Sequence, residues 1–116
     1  MRILILEDNK ERCKIFRKEL VGHEYFITEF ASEAIEKLTE SEWDYLFLDH
    51  DLGGRIFVNS EEENTGCTVA KFLQDKKISG KVIIHSWNAS GARNMKCYLP
   101  FSRYVPFGRK SDFGIE

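Results

Sequence analysis

The chain has 116 residues, of which 42% are hydrophobic, and its formal net charge at neutral pH is −2. This length suits one domain, and we expect residues 1–116 to form it. Lysines and arginines are spread along the chain, so the charge gives no case for binding membranes or nucleic acid. No apolar run approaches membrane-spanning length, and the chain starts with a strand-like segment where a signal peptide would stand. We therefore expect a soluble, cytoplasmic protein.

Five strand-like segments alternate with helical segments along the chain. Each is apolar or alternating and is bounded by polar or turn-forming residues. They are Arg2–Leu6, Glu24–Phe30, Tyr45–Leu48, Lys81–Ile84 and Arg103–Val105. Strands that alternate with helices predict a parallel sheet with helices on both faces. Five such units fit the flavodoxin-like α/β fold, with strand order 2-1-3-4-5.

Capping residues predict where most of the helices begin. The expected caps are Asp8 or Asn9 for the first helix, Ser32 for the second and Thr65 for the third, and the fourth helix is expected at Ala92–Leu99. A long polar loop, 53–64, separates the third strand from the third helix, and the last several residues are expected to form a tail. These elements leave no room for a second domain.

Polar side chains follow three strands that this order makes neighbours. They are Glu7 and Asp8 after the first strand, Asp49, His50 and Asp51 after the third, and His85 and Ser86 after the fourth. Ligands of open parallel sheets bind outside the carboxyl ends of the strands. Carboxylates packed there repel one another unless a divalent cation lies among them. The sequence thus predicts a site for Mg²⁺, or for Mn²⁺ if an imidazole is among the ligands.

Each of these residues also has a structural interpretation. Asp8 is a helix cap, Asp51 suits the turn before Leu-Gly-Gly, and single histidines are more often structural than functional. Ser86 and Asn88 would stabilise the turn that follows the fourth strand. The placement of so many titratable groups at one sheet edge nevertheless favours function.

The chain resembles the receiver domain of response regulators. The acidic pair of that family matches Glu7 and Asp8, its phosphoacceptor aspartate matches Asp49, and its hydroxyl residue matches Ser86. The resemblance implies Mg²⁺ ligation by these three acids and by the backbone carbonyl of Asp51. One departure is Val105, which stands where receivers usually carry a lysine.

Two longer segments are similar to those of one subgroup, the cyclic-phosphate processing receiver domains. They are LDHDL at Leu48–Leu52 and HSWNASGARNM at His85–Met95. This resemblance implies a metal-dependent phosphoesterase that acts on a cyclic nucleotide or another cyclic phosphate. Such domains occur in bacterial and phage conflict systems, so a second-messenger substrate is conceivable. Nucleic acid would be a substrate only through a phosphate terminus.

The implied mechanism assigns roles to the remaining residues of the site. His50 and His85 would act as general acid and base beside Asp49. The candidate phosphate-binding residues are Arg12, Ser86, Asn88, Gly91 and Arg93. Gly91 would adopt a positive φ or let the backbone approach the ligand, and Arg93 is a candidate to replace the missing lysine. Trp87 is expected to be buried or half-buried, with stacking on a base as the alternative.

Two further functions remain open. The chain would be a non-catalytic module if it bound a nucleotide or a protein partner without turnover. It would be a phosphoacceptor receiver if Asp49 were phosphorylated, an interpretation that Val105 disfavours and Ser86 favours.

Overall fold

The computed structural model describes residues 1–55 and 58–105. In that part of the chain, five strands alternate with four helices. The strands are β1 (Arg2–Leu6), β2 (Glu24–Thr28), β3 (Tyr45–Leu48), β4 (Lys81–Ile84) and β5 (Arg103–Tyr104). The helices are α1 (Lys10–Glu19), α2 (Ala31–Glu40), α3 (Gly66–Leu73) and α4 (Ala89–Tyr98). The predicted tail lies mostly outside the described residues. None of the described helices is long and apolar enough to cross a membrane.

The strands form one parallel sheet in the order β2-β1-β3-β4-β5. The predicted flavodoxin-like fold and its strand order are therefore confirmed. Leu6 pairs with Leu48, and Leu48 pairs with Ile84, so β1, β3 and β4 end at the same level. This register places the residues that follow the three strands side by side.

The sheet is covered on both faces because its central strands are apolar at nearly every position. On one face, Leu6 and Leu48 pack with buried residues of α2, α3 and α4. On the other face, Ile5 and Phe47 pack against Phe16 of α1. Because alternate strand residues point to opposite faces, one short strand supplies apolar side chains to the packing on both faces of the sheet. The polar residues of the predicted site follow directly after these buried central strands.

Several predicted boundaries were wrong by a few residues. Strand β2 ends at Thr28, whose hydroxyl accepts a hydrogen bond from the Phe30 amide at 3.1 Å. Ser32 does not cap α2; the side chain of Asn64, distant in sequence, accepts the Ala31 amide at 2.8 Å. Helix α4 begins at Ala89, three residues before the predicted start.

The remaining caps follow local chemistry. Asn9 caps α1 by accepting the Arg12 amide at 3.1 Å. Thr65 occupies the cap position of α3, but its hydroxyl donates instead to the carbonyl of Glu62 at 3.0 Å. Asn88 caps α4 by accepting the Gly91 amide at 2.9 Å.

Candidate functional site

Three potential metal ligands lie together where β1, β3 and β4 end. Glu7, Asp49 and His85 are all buried, and one ligand atom from each lies within 4.8 Å of the others. The amides of Asp49 and His85 donate to the last carbonyls of the neighbouring strands, at 3.0 Å in both cases. The sheet ladder therefore continues into the site and fixes the backbone of these residues. We call these three residues the acidic cluster.

Glu7 is the anionic member of the acidic cluster. Its Oε2 accepts hydrogen bonds from the amides of Asp8 and Asn9, both at 3.0 Å, while Oε1 lies 3.0 Å from Nε2 of His85. Burial would raise the pKa of this carboxyl, but the hydrogen bond and charge of His85, the Asn9 amide and the Arg12 guanidinium lower it to about 2. Glu7 therefore remains charged inside the protein.

Asp49 is the protonated member in the absence of a cation. Its burial, the nearby charge of Glu7 and a hydrogen bond shared with Glu7 raise the pKa of its carboxyl to about 9, and the guanidinium of Arg12 only partly opposes them. Oδ1 of Asp49 accepts the amide of His50 at 2.9 Å. Two carboxyl groups that cannot both ionise at neutral pH are the arrangement that a cation would relieve.

Arg12 is the cation nearest to Asp49 among the described residues. Its Nη1 lies 3.5 Å from Oε1 of Glu7 and 3.9 Å from Oδ2 of Asp49. Arg93, the other predicted candidate, is exposed, and its guanidinium contacts the hydroxyl of Ser90 at 3.4 Å. At the end of β5, Val105 carries no charge. The structure thus favours Arg12 over Arg93 as the replacement for the missing lysine.

A cleft of about 290 Å³ opens beside the acidic cluster. Its lining includes Asp8, Arg12, Asp49, Ser86 and Trp87. Asp8 accepts the amide of Gly54 at 2.6 Å and thereby ties the loop after β3 to α1. Burial raises the pKa of the Asp8 carboxyl, and the amide of Gly54 opposes that effect. The expectation that Trp87 is buried or half-buried was wrong, because this residue, which lines the cleft, is 65% exposed.

His50 lies in a different environment from His85. It is fully buried, with Nδ1 2.8 Å from Oδ1 of Asp51 and Nε2 2.8 Å from the hydroxyl of Ser60. The same Oδ1 of Asp51 accepts the Asn88 side chain at 3.0 Å and the Val58 amide at 3.1 Å. We call His50, Asp51, Ser60 and Asn88 the His50 network. It connects the loop after β3 to the start of α4.

Gly91 is required by packing against His50. A Cβ at this position would lie 2.4 Å from Cγ of His50. Gly91 was predicted to adopt a positive φ or to approach a ligand, but the close neighbour is the imidazole, and its φ lies outside the positive range. Helix α4 therefore covers the ring that sequence analysis had placed in the catalytic site.

Six of the predicted residues lie in the cluster or line its cleft without belonging to the His50 network. They are Glu7, Asp8, Arg12, Asp49, His85 and Ser86. The side chains of Asp51 and Asn88 reach the cleft but are held in the His50 network. The hydroxyl of Ser86 accepts a hydrogen bond from the backbone N–H of Asn88 at 3.0 Å.

Sequence analysis did not single out two residues of this region. Gly66 opens α3, and a Cβ there would lie 2.1 Å from the carbonyl oxygen of Asp49. A glycine in the first turn of a helix was the available signal, since glycine is unfavourable there without a packing reason. Ser60 lies in the long polar loop, where no periodicity marks one serine above its neighbours.

Residues 2–100 match the family described as the cyclic-phosphate processing receiver domain. The chain belongs to this family. No curated protein matches it.

Solved structures of response regulators are similar to this receiver domain in fold. The response regulator TrrA from Thermotoga maritima, in complex with Mg²⁺-BeF, has 23% sequence identity and a TM-score of 0.70, over 92% of this chain and 86% of that one. A CheY-like receiver domain from Methanospirillum hungatei has 16% identity and a TM-score of 0.75, over 97% and 86% of the two chains. The complex of the histidine kinase ThkA with TrrA matches with 22% identity and a TM-score of 0.65, over 92% and 85%. Identities this low establish the fold alone.

Proposed function

We propose that this receiver domain is a metal-dependent phosphoesterase that opens cyclic phosphates. The observation that carries the proposal is the acidic cluster: two carboxyl groups and an imidazole are buried together beside a cleft that is lined by Asp49 of the cluster and by the guanidinium of Arg12. Membership of the cyclic-phosphate processing family supports the substrate class. A solvated or purely structural role would not require three buried titratable groups to meet at one sheet edge.

The donor set of the cluster fits a divalent cation. Glu7, Asp49 and His85 would be its protein ligands, and the imidazole favours Mn²⁺ or another transition ion over Mg²⁺. Such an ion supplies charge neutralisation of phosphoryl oxygens and makes a bound water more acidic. The carboxyl ends of three strands hold the donors before any ion arrives, which reduces the ordering that binding requires.

The side chains of the cleft would position the phosphate. Arg12 presents its guanidinium to the acidic cluster, where it would bind phosphoryl oxygens as a hydrogen-bonding cation. The Ser86 hydroxyl lines the same cleft and is fixed by the Asn88 amide. Asp8 also lines this cleft, and its carboxylate would orient a water or a substrate hydroxyl.

The two histidines take different roles in this proposal. His85 belongs to the metal site, while His50 positions the loop and α4, because both of its ring nitrogens are hydrogen-bonded inside the protein. A general acid or base must lie within hydrogen-bond reach of the proton it transfers. This division replaces the symmetrical acid–base pair that the sequence suggested.

A substrate screen tests the proposal. The purified chain would be incubated with 2′,3′-cyclic nucleotides, 3′,5′-cyclic nucleotides and cyclic dinucleotides, each with Mg²⁺, Mn²⁺ or EDTA, and the products resolved by chromatography and mass. We expect ring opening that requires the metal and is lost in Asp49→Asn, while the exposed control Asp75→Asn retains it. Failure to open any of these substrates, or equal turnover in EDTA, would contradict the proposal.

A phosphoacceptor function is the second candidate. Asp49 occupies the matching strand end, and TrrA, which shares the fold, was solved with Mg²⁺-BeF. Arg12 lies 3.9 Å from Oδ2 of Asp49 and would supply the positive charge that Val105 lacks. Incubation with acetyl phosphate and Mg²⁺ would then add one phosphoryl group, seen by intact mass and absent from Asp49→Asn. A protein partner such as a histidine kinase would accompany that function, since TrrA was also solved with ThkA.

A further inference from the structure

Trp87 is an exposed indole at the rim of the cleft. Its side chain is 65% exposed, whereas the other tryptophan, Trp43, is 8% exposed and donates its Nε1 to the carbonyl of Lys37 at 3.1 Å. Trp87 directly follows Ser86, so the end of β4 places a hydroxyl and an aromatic ring in the same cleft. An indole held in this way offers an apolar face next to polar groups.

Arg12 links this ring to the acidic cluster. Its guanidinium carbon lies 5.2 Å from the centroid of the Trp87 ring, which is within the range of a cation–π contact. The same guanidinium lies 3.9 Å from Oδ2 of Asp49. The aromatic surface and the proposed phosphate position are therefore separated by one side chain, a spacing that suits a ligand with a planar group beside its phosphate.

The size and chemistry of the cleft limit the ligand further. The cleft volume of about 290 Å³ is close to the lower end of the volumes of small-molecule sites. This volume is enough for one nucleotide but small for a cyclic dinucleotide. A sugar or polyol cyclic phosphate would use the polar groups of the cleft but carries no planar group that could stack on the indole.

We propose that the ligand of this cleft is a nucleoside cyclic monophosphate whose base stacks on Trp87 while its phosphate faces Arg12. The inference deepens the proposed function and rests on it for the cyclic phosphate group. Base–aromatic stacking is tolerant of base identity, so adenosine and guanosine forms are expected to bind with similar affinity.

Calorimetric binding to wild type and variants in EDTA, where the probes are not turned over, tests this inference, and hydrolysis is measured separately with Mg²⁺. The probes are adenosine 2′,3′-cyclic phosphate and glycerol 1,2-cyclic phosphate, which carries the same ring without a base. We expect Trp87→Ala to raise the Kd for the nucleotide by roughly 5- to 140-fold, the range for loss of one stacked base, and Trp87→Phe to restore most of the affinity. Affinity for the glycerol compound should not change. Phe101→Ala, which removes another exposed aromatic side chain, is the matched control.

The two proposals fail in different ways. Equal affinity of wild type and Trp87→Ala for the nucleotide, with hydrolysis of both probes intact, would overturn the stacking inference and leave the phosphoesterase standing. Trp87-dependent nucleotide binding without hydrolysis would support the stacking inference and reject the phosphoesterase. Binding of neither probe up to millimolar concentration would overturn the stacking inference.

Discussion

The two buried histidines of this receiver domain occupy contrasting sites. His85 lies beside Glu7 and Asp49, and its ring packs at 5.5 Å from Phe16, between the sheet and α1. His50 lies on the other side of β3, where Asp51 and Ser60 bind its two ring nitrogens. Each histidine is within 3.0 Å of a carboxylate oxygen, yet only His85 shares its surroundings with a second potential metal ligand.

This contrast shows that a histidine–carboxylate pair does not by itself identify a catalytic group. At the acidic cluster, burial and the charge of Glu7 raise the pKa of Asp49, which leaves an unfavourable interaction between two carboxyl groups for a cation to relieve. In the His50 network, every donor and acceptor of the ring is matched by a protein group, which leaves a stable packing element. The acidic cluster and the His50 network therefore differ in how far their polar groups are matched, although both contain a histidine and a carboxyl group.

The largest expected effect is a loss of enzymatic activity on replacement of His85 that does not occur when a contact of His50 is removed. If the phosphoesterase proposal holds, His85→Ala should lower kcat/KM by at least about 10³-fold, because several kcal/mol of metal-supplied stabilisation would be lost. Ser60→Ala, which removes one contact of His50, should change it by less than about threefold. Steady-state rates with Mn²⁺ measure both effects, and comparable losses in the two variants would contradict the division of roles.

A stability measurement tests the packing role of His50. Gly91→Ala would place a Cβ 2.4 Å from Cγ of His50, and this overpacking should lower the free energy of unfolding by about 2–3 kcal/mol. Ser90→Ala on the same helix is the control, with an expected change within about 0.5 kcal/mol. Urea unfolding compares them. A Gly91→Ala protein as stable as wild type would show that the ring is not closely packed.

The pH dependence of stability tests the unfavourable interaction between the two carboxyl groups of the acidic cluster. In metal-free protein, the raised pKa of Asp49, about 9 against an ordinary 3.8, contributes stability that is complete below pH 3.8 and is lost as the pH rises towards 9. Glu7, with its pKa lowered from 4.5 to about 2, contributes stability that is present above pH 4.5 and is lost only as the pH falls towards 2. Above pH 4.5, the change of stability with pH therefore comes from Asp49 rather than from Glu7.

The Asp49→Asn variant removes the titration of this carboxyl group and so measures its contribution to the pH dependence of stability. Wild type without metal should lose up to about 1.4 kcal/mol per pH unit between pH 5 and 9, whereas the variant should be nearly insensitive over this range. The variant should therefore be the more stable protein at pH 8. Thermal melts in EDTA across this range provide the measurement, and parallel pH profiles would argue against a protonated Asp49.

The smallest effect concerns the hydrogen bond between Ser60 and His50. Ser60→Ala should lower the free energy of unfolding by about 1 kcal/mol, since an ordinary buried hydrogen bond is lost. Ser90→Ala again serves as the control on the neighbouring helix. No loss of stability would indicate that water replaces the hydroxyl without cost.

The sequence predicted the fold and the meeting of polar residues at one edge of the sheet, because both depend on local pattern. Apolar strands such as Tyr45–Leu48 and their order bring the residues after β1, β3 and β4 together regardless of side-chain detail. The role of His50 could not be derived, because it depends on contacts with Ser60 and Gly91, which are distant in sequence. Likewise, Arg12 was favoured over Arg93 only once the direction of α1 across the cleft was known.

Calorimetric titration with Mn²⁺ tests the central claim, that Glu7, Asp49 and His85 form a divalent-cation site, most directly. We expect one ion per chain, binding tighter than Mg²⁺ because of the imidazole, and affinity lowered by at least about 100-fold in both Asp49→Asn and His85→Ala. Ser60→Ala should bind as wild type does. Absence of binding by wild type at millimolar Mn²⁺, or unchanged affinity in His85→Ala, would contradict the account.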